Sequence, residues 1–391
     1  MKIARWSRPA TVLAGAAVLV AGLTACGGSS GAGTSGGGLP QTIKIMSIKE
    51  MTGAVAFAGT NATKGVDLAV DEIAKQKFLG DTKLEIDLKD SAASPQEAAS
   101  YATQALSDKN YSAILGPAAS AQAAAISPIA QKSKMPVIYT QAGSNGVLTG
   151  DYTFRVTAPA SSYFQLAGEY LQRKGVKTAA VLYNSGNPTL AELGQQTAPQ
   201  LGQKYGFTIT SSDGVQTSAQ DFTANGSKIA AANPGAVFVL LNGPQNPTAI
   251  MQLRQNGYRG EIVGMTSMGA GNLASAGQAA AGAVWPSDFS ALAENASSKK
   301  FVDAYKAKYN GELPNNYAAE AYDAAWFLTR GIKEAGSADR IKMQQGLAKV
   351  AAAGFDGAEG KLTFEGNDLR VQGVLAGWDG GKEIIVPGTR S

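Results

Sequence analysis

The chain has 391 residues, 44% of them apolar and 16% charged, with a formal net charge of +4, no histidine and one cysteine, Cys26. The missing histidines and the lone cysteine remove the ordinary zinc ligands, the usual base for a serine or cysteine nucleophile, and any internal disulfide framework, so no metal or cofactor is expected and an enzyme is disfavoured. The near-balance of charge, with no basic run interleaved with aromatics, argues against a nucleic-acid partner.

The N-terminus combines a basic start (Lys2, Arg5, Arg8) with an apolar stretch over residues 10–22 that is shorter than the ~20 residues of a membrane span. Small residues then lead to Leu23-Thr24-Ala25-Cys26. This stretch resembles the bacterial lipobox, which implies a signal peptide over residues 1–25, lipidation of Cys26, and attachment to the outer face of the cell membrane. Residues 26–40 are the lipidated cysteine and a Gly/Ser-rich tether. Within that tether, GxGxxG (Gly31 to Gly36) and GxSxG (Gly27 to Gly31) have no strand before them and no helix after them, and are accidents of composition. Without the three basic residues of the leader the net charge falls to about +1.

From residue 41 short apolar runs alternate with segments of helical period, the pattern of βαβ units around a parallel sheet. Strands are predicted over 42–48, 83–89, 112–116 and 136–140, with helices around 66–73, 95–106 and 120–132 between them. A second series follows: helix 161–174, strand 177–183, a helix ending near Tyr205, strand 207–211, helix 227–232, strand 236–241, helix 247–256 and strand 261–264. The remainder reads as helices over 299–309, 318–335 and 338–350, a hairpin over 360–368 and a last strand over 371–378. Two doubly wound halves in series imply two α/β lobes, with ligand sites beyond the carboxyl ends of the strands. Ser297-Ser298-Lys299-Lys300 has the SxxK spacing of a lysine-assisted serine, but its surroundings suit a solvated helix start.

Met51-Thr52-Gly53 with Gly59 and the helix from Gly65 to Ile73 resembles the opening of the Leu/Ile/Val-binding proteins, the type I periplasmic substrate-binding proteins of ABC transporters. Gly116-Pro117 with Ser120, Met135-Pro136, Phe154-Arg155, Asp221-Phe222, Leu253-Arg254-Gln255 with Gly257, and the segments 301–309 and 317–323 match that family in order. The resemblance implies two Rossmann-like lobes of the Venus-flytrap kind, with three hinge crossovers near Pro159, Pro286 and Arg370. Lobe one would hold residues 41–159 plus 286–369, and lobe two residues 160–285 plus 370–391.

Ser120 falls at a helix start after the Gly116-Pro117 turn, where unpaired N–H groups favour an anion such as a substrate carboxylate; the same place suits an N-cap serine. By resemblance, Ala142 offers a backbone carbonyl and Ser144 a hydroxyl to the solute, and Phe57 in the opening loop is a candidate apolar wall. In lobe two this chain departs from the family. Asn184 stands where a Tyr-Gly pair is common, Gln245 near a second tyrosine, and Thr266 near the acid that receives an amino group. Glu50, or Asp288, is a candidate to replace that acid; otherwise the ligand need not be an amino acid.

The implied function is a monomeric, lipid-anchored receptor that binds a small carboxylate-bearing molecule and delivers it to ABC permease and ATPase subunits. Branched-chain or other apolar amino acids are the family default. Aromatic or aliphatic acids and amide-type solutes are alternatives, as is a ligand sensor of the same fold. The lack of a second apolar segment or a kinase-like region before Ser391 favours transport.

Overall fold

The computed structural model describes residues 38–53 and 55–387; the predicted signal peptide, Cys26 and the tether up to residue 37 lie outside the described residues. The chain opens with β1 (Thr42–Lys49), α1 (Ala56–Lys75), β2 (Lys83–Asp90), α2 (Pro95–Ser107), β3 (Tyr111–Leu115), α3 (Ser120–Lys132), β4 (Val137–Tyr139) and β5 (Thr153–Arg155). A second series has α4 (Ala160–Tyr163), α5 (Gln165–Arg173), β6 (Thr178–Asn184), α6 (Pro188–Glu192), α7 (Ala198–Tyr205), β7 (Thr208–Val215), α8 (Thr223–Ala232), β8 (Ala236–Leu240), α9 (Gln245–Gln255), β9 (Glu261–Val263) and β10 (Val284–Ser287). The last part holds α10 (Ala296–Lys308), α11 (Asn316–Ala335), α12 (Arg340–Ala353), β11 (Phe355–Gly357), β12 (Gly360–Glu365), β13 (Asp368–Arg370), β14 (Val374–Trp378) and β15 (Glu383–Ile385).

These strands form two sheets. One has the order β11-β12-β13-β5-β4-β3-β1-β2 and the other β15-β14-β10-β9-β8-β6-β7. Pairing is parallel through the centre of each sheet and antiparallel at one end, where β12 meets β11 and β13, and β14 meets β10 and β15. Central strands are covered on both faces, as parallel sheets require. In β8, Phe238 and Leu240 enter one core while Val237 and Val239 enter the other. β1 divides in the same way, Ile43 and Ile45 against Met46 and Ile48. The strictly alternating β2 is an edge strand, and none of its residues is fully buried.

The chain passes between sheets three times: between β5 and α4, after β10, and between β13 and β14. Pro286 lies inside β10, paired with Leu375 of β14, so this passage follows Ser287. At the third passage Gly373 has φ +71° and a Cβ there would stand 2.8 Å from that of Tyr163 and 3.1 Å from the Ser287 carbonyl oxygen. Only glycine meets both demands, and the crossings are packed against one another. Beside them, Arg155 donates Nε and Nη2 to Asp368 at 2.6 and 2.8 Å and Nη1 to the carbonyls of Ala142 and Ser144 at 2.8 and 2.5 Å. This buried fork ties β5, β13 and the loop after β4 together.

α11 is set by an equally close approach. A Cβ at Gly65 of α1 would fall 2.0 Å from the Ala318 carbonyl oxygen, so the two helices touch backbone to backbone. The contact directs the first turn of α11, with Tyr317 and Glu320, into the space between the lobes.

Candidate functional site

A cavity of about 340 Å³ lies between the carboxyl ends of the two sheets, within the ~300–1,000 Å³ range usual for small-molecule sites. Lobe one contributes Glu50, Phe57, Ser120, Gln141, Tyr317 and Glu320; lobe two contributes Asn187, Thr189, Leu190, Thr217, Asn242 and Thr266.

The lobe-one wall begins where β1 ends. Glu50 is fully buried and accepts hydrogen bonds from the backbone N–H groups of Ala118 (3.2 Å) and Ala119 (2.9 Å), at the entry to α3. Burial raises its pKa, while these donors and Lys49 act the other way. Glu50, expected as a free acid for an amino group, is instead engaged by the backbone donors that lead into α3, on the positive side of the helix dipole. A solute carboxylate at this helix end has the Ser120 region left to it rather than the whole terminus. Lys49 is buried as well, donates its Nζ to Thr140 Oγ1 at 3.1 Å, and burial lowers its pKa to about 8.

Ser120, Ser144 and Thr189 form a cluster of hydroxyls across the gap. Thr189 Oγ1 lies 3.1 Å from Ser120 Oγ and 3.0 Å from Ser144 Oγ, and the Ser144 N–H donates to Ser120 Oγ at 3.1 Å. Thr189 stands on the first turn of α6, whose N-cap Asn187 accepts from the N–H groups of Thr189 and Leu190. Next to the cluster, the Asn145 N–H donates to Glu192 Oε2 at 2.9 Å, a second bond between the lobes.

Ser120, Phe57, Glu50 and Thr266 all line the cavity. Phe57 meets Tyr317 edge to face at 5.8 Å and, with Thr266, also borders a wider opening of about 790 Å³ on the other side. Ala142, Ser144, Asn184 and Gln245 are not on the cavity wall. The Ala142 carbonyl expected to face the solute accepts instead from Arg155. Asn184 donates to Gln245 Oε1 at 3.0 Å and accepts from the Gly186 N–H and Thr217 hydroxyl, while Gln245 Nε2 donates to the carbonyls of Gln216, Thr217 and Ala219. Both amides thus brace the loops behind the wall. Thr189, Thr217 and Asn242 take the wall positions.

The residue missed outright is Glu320. It is 1% exposed, accepts from Gln141 Nε2 and, at 3.3 Å, from Asn316 Nδ2, and neighbours the buried Asp288. Burial first, then the Asp288 carboxyl, hold it well above the ordinary carboxylate range. Its signal in the sequence was an acid three residues after Tyr317 on one helix face, both pointing the same way.

The family model described as periplasmic binding protein matches residues 42–376. The leucine-, isoleucine-, valine-, threonine- and alanine-binding protein of Pseudomonas aeruginosa is 27% identical over 341 residues, covering 84% of this chain and 87% of that protein. Among solved structures, the branched-chain amino acid transporter substrate-binding protein LivJ of Streptococcus pneumoniae in complex with isoleucine is 28% identical, with a TM-score of 0.80 over 88% of this chain and 99% of that one. An ABC transporter solute-binding protein of R. palustris in complex with benzoate shares the fold at 20% identity, TM-score 0.80, covering 88% and 95%.

The two-lobed, three-crossover architecture and the cleft site define a type I periplasmic binding protein of the Venus-flytrap kind. The chain belongs to the periplasmic binding protein family, the extracytoplasmic solute-binding partners of ABC transporters, whose matched members here are binding proteins and not enzymes.

Proposed function

We propose that this chain is the receptor of an ABC importer for a solute of amino-acid size, with branched-chain or other apolar amino acids as the first class. The observation that carries the reading is the cavity with the Ser120 and Thr189 hydroxyls on its wall, braced from behind by Ser144, polar at that end and bordered by Phe57, Leu190 and Tyr317 elsewhere. The carboxylate of such a solute would exchange with the hydroxyl cluster beside the first turn of α3, which supplies donors without a full charge. The relatives named for leucine, isoleucine and valine support this class. An aromatic or aliphatic acid, or an amide-type solute, is the second reading, favoured by Thr266 standing where an acid is usual and by the benzoate-bound neighbour.

A thermal-shift screen of the protein lacking residues 1–26 against amino acids, aromatic acids and amides tests it, because a ligand of the native state alone raises the midpoint. At least one small carboxylate is expected to raise it, and Ser120→Ala to reduce the rise; no response from any compound would discard the receptor reading. The receptor acts from the outer face of the membrane as a monomer tethered through lipidated Cys26. No helix among the described residues is long and apolar enough to cross a membrane. Mass spectrometry of the membrane-extracted protein is expected to show a mature chain that begins at a diacylglyceryl-modified Cys26, and an unmodified cysteine there would refute the anchor.

A further inference from the structure

The electrostatics of the cleft narrow the solute class further, on the footing of the receptor reading above. Glu50 and Glu320 are the only charged residues on the cavity wall among the described residues. Glu50 is already bound to the α3 entry. Glu320 has only two side-chain amides as donors, and Gln141 Oε1 beside it is buried without a partner. Behind it stand Asp288, whose side chain is reached by Thr157 Oγ1 at 3.4 Å, and Glu359, which is 9% exposed with both carboxyl oxygens lacking a hydrogen-bond partner. Glu359 interacts with both Asp288 and Glu320.

The cations close by do not balance these groups. Lys49 serves Glu50 as well as Glu320, Arg155 is locked to Asp368, and Arg330 acts on Asp323. A buried carboxyl with no cation of its own either keeps a proton or awaits a positive partner. Because Glu320 lies on the cavity wall, an ammonium group of an entering solute can be that positive partner. Tyr317 and Phe57 line the same cavity as Glu320, and aromatic rings attract ammonium.

We propose that Glu320, on the lobe-one wall, receives a protonated amino group of the solute, so that this receptor selects small apolar ammonium compounds through lobe one rather than through the lobe-two position held by Thr266. Asp288 acts as a positioning residue behind it. Without solute, Glu320 keeps a proton and hydrogen-bonds Asp288, consistent with burial and the neighbouring carboxyl raising its pKa. Binding an ammonium then releases that proton to solvent. The titratable groups around Glu320 are Asp288, Glu359, Lys49, Tyr163 and Tyr317, and burial raises the pKa of both tyrosines, which stay neutral.

Titration calorimetry in phosphate and in Tris, buffers of small and large ionisation enthalpy, tests this with L-leucine, 3-methylbutylamine, 4-methylpentanoate, benzylamine and benzoate as probes. L-leucine is expected to bind about 30-fold or more tightly than 4-methylpentanoate, as loss of one partner of a buried charge pair implies, and each amine more tightly than its matched acid. Leucine should release a proton, read as a heat that differs between buffers. Glu320→Gln should erase both the preference and the release; Asp288→Asn, which keeps Glu320 on the wall, should retain the preference and reduce the release. Acids binding as tightly as amines, or an unchanged preference in folded Glu320→Gln, would overturn the inference and leave the receptor reading standing. Binding by none of the probes, nor by any compound in the wider screen, would remove the receptor reading and the inference with it.

Discussion

Lys49 and Glu50 are adjacent in sequence and meet opposite needs at the end of β1. Glu50 completes the entry of α3, while Lys49 keeps a charge in a fully buried place with one hydroxyl for a hydrogen bond. The cost of Lys49 appears as a pKa lowered to about 8 against 10.5 when unfolded. Between those values Lys49 is protonated in the unfolded chain and neutral in the folded one, so its own contribution to stability rises with pH across that window, while the raised carboxyls Glu320 and Glu359 work the other way. The gain is on the order of 3 kcal/mol if the whole shift is realised. Tyrosines with raised pKa oppose it only near and above their ordinary value of 10.0. Urea denaturation from pH 8 toward 10 should therefore show the native chain gaining stability relative to Lys49→Met as pH rises; a difference that stays flat or shrinks would contradict the buried charge. Residue types at the cleft were legible, but the duties of several were not. Ser120 could be placed because Gly116-Pro117 announces a turn before a helix. The engagement of Glu50 could not, since its partners lie 68 and 69 positions away. Local spacing carries no record of such a contact.

α6 shows how one helix end can govern the cleft. It continues through a π-helical turn over Leu193–Thr197 into α7, and Asn187 with Pro188 fixes its first turn so that Thr189 projects across the gap. Thr189→Val keeps the shape and removes the hydroxyl shared by Ser120 and Ser144. Small-angle scattering without solute is expected to give a larger radius of gyration for Thr189→Val than for the native chain, and solute affinity should fall by about 5- to 10-fold, the range of one or two net hydrogen bonds. An unchanged radius would mean that the hydroxyls do not hold the lobes together. Most elements were readable from periodicity; the short strands β5, β10, β11 and β15 were not, being only three or four residues long. The predicted helix over 161–174 is divided into α4 and α5 at Phe164. β10 escaped notice because Pro286 breaks an apolar run, and proline ordinarily argues against an interior strand. It is accommodated because β9 pairs only with Val284, so Pro286 needs no ladder bond on that side.

For the molecule as a whole, two lobes were evident because the βαβ pattern appears twice and each repeat closes its own pair of cores. Which lobe owns the last third of the chain was not evident from pattern and came only from the family resemblance. Sheet membership is settled by pairings such as β13 beside β5 and β14 beside β10, contacts made over more than two hundred and about ninety positions. The cleft chemistry was the least legible part for the same reason. Its wall gathers Glu50, Gln141, Thr189 and Glu320 from four separate stretches, and a departure from family pattern at Thr266 was visible while its counterpart at Glu320 was not.

The hydroxyl cluster has a consequence for whatever enters the cleft. Its alcohol groups, Ser120 and Ser144 on one side and Thr189 on the other, can each turn to give or take a proton, so a guest that displaces the Thr189 contacts has to offer a replacement to both banks of the gap or forfeit the bridge between them.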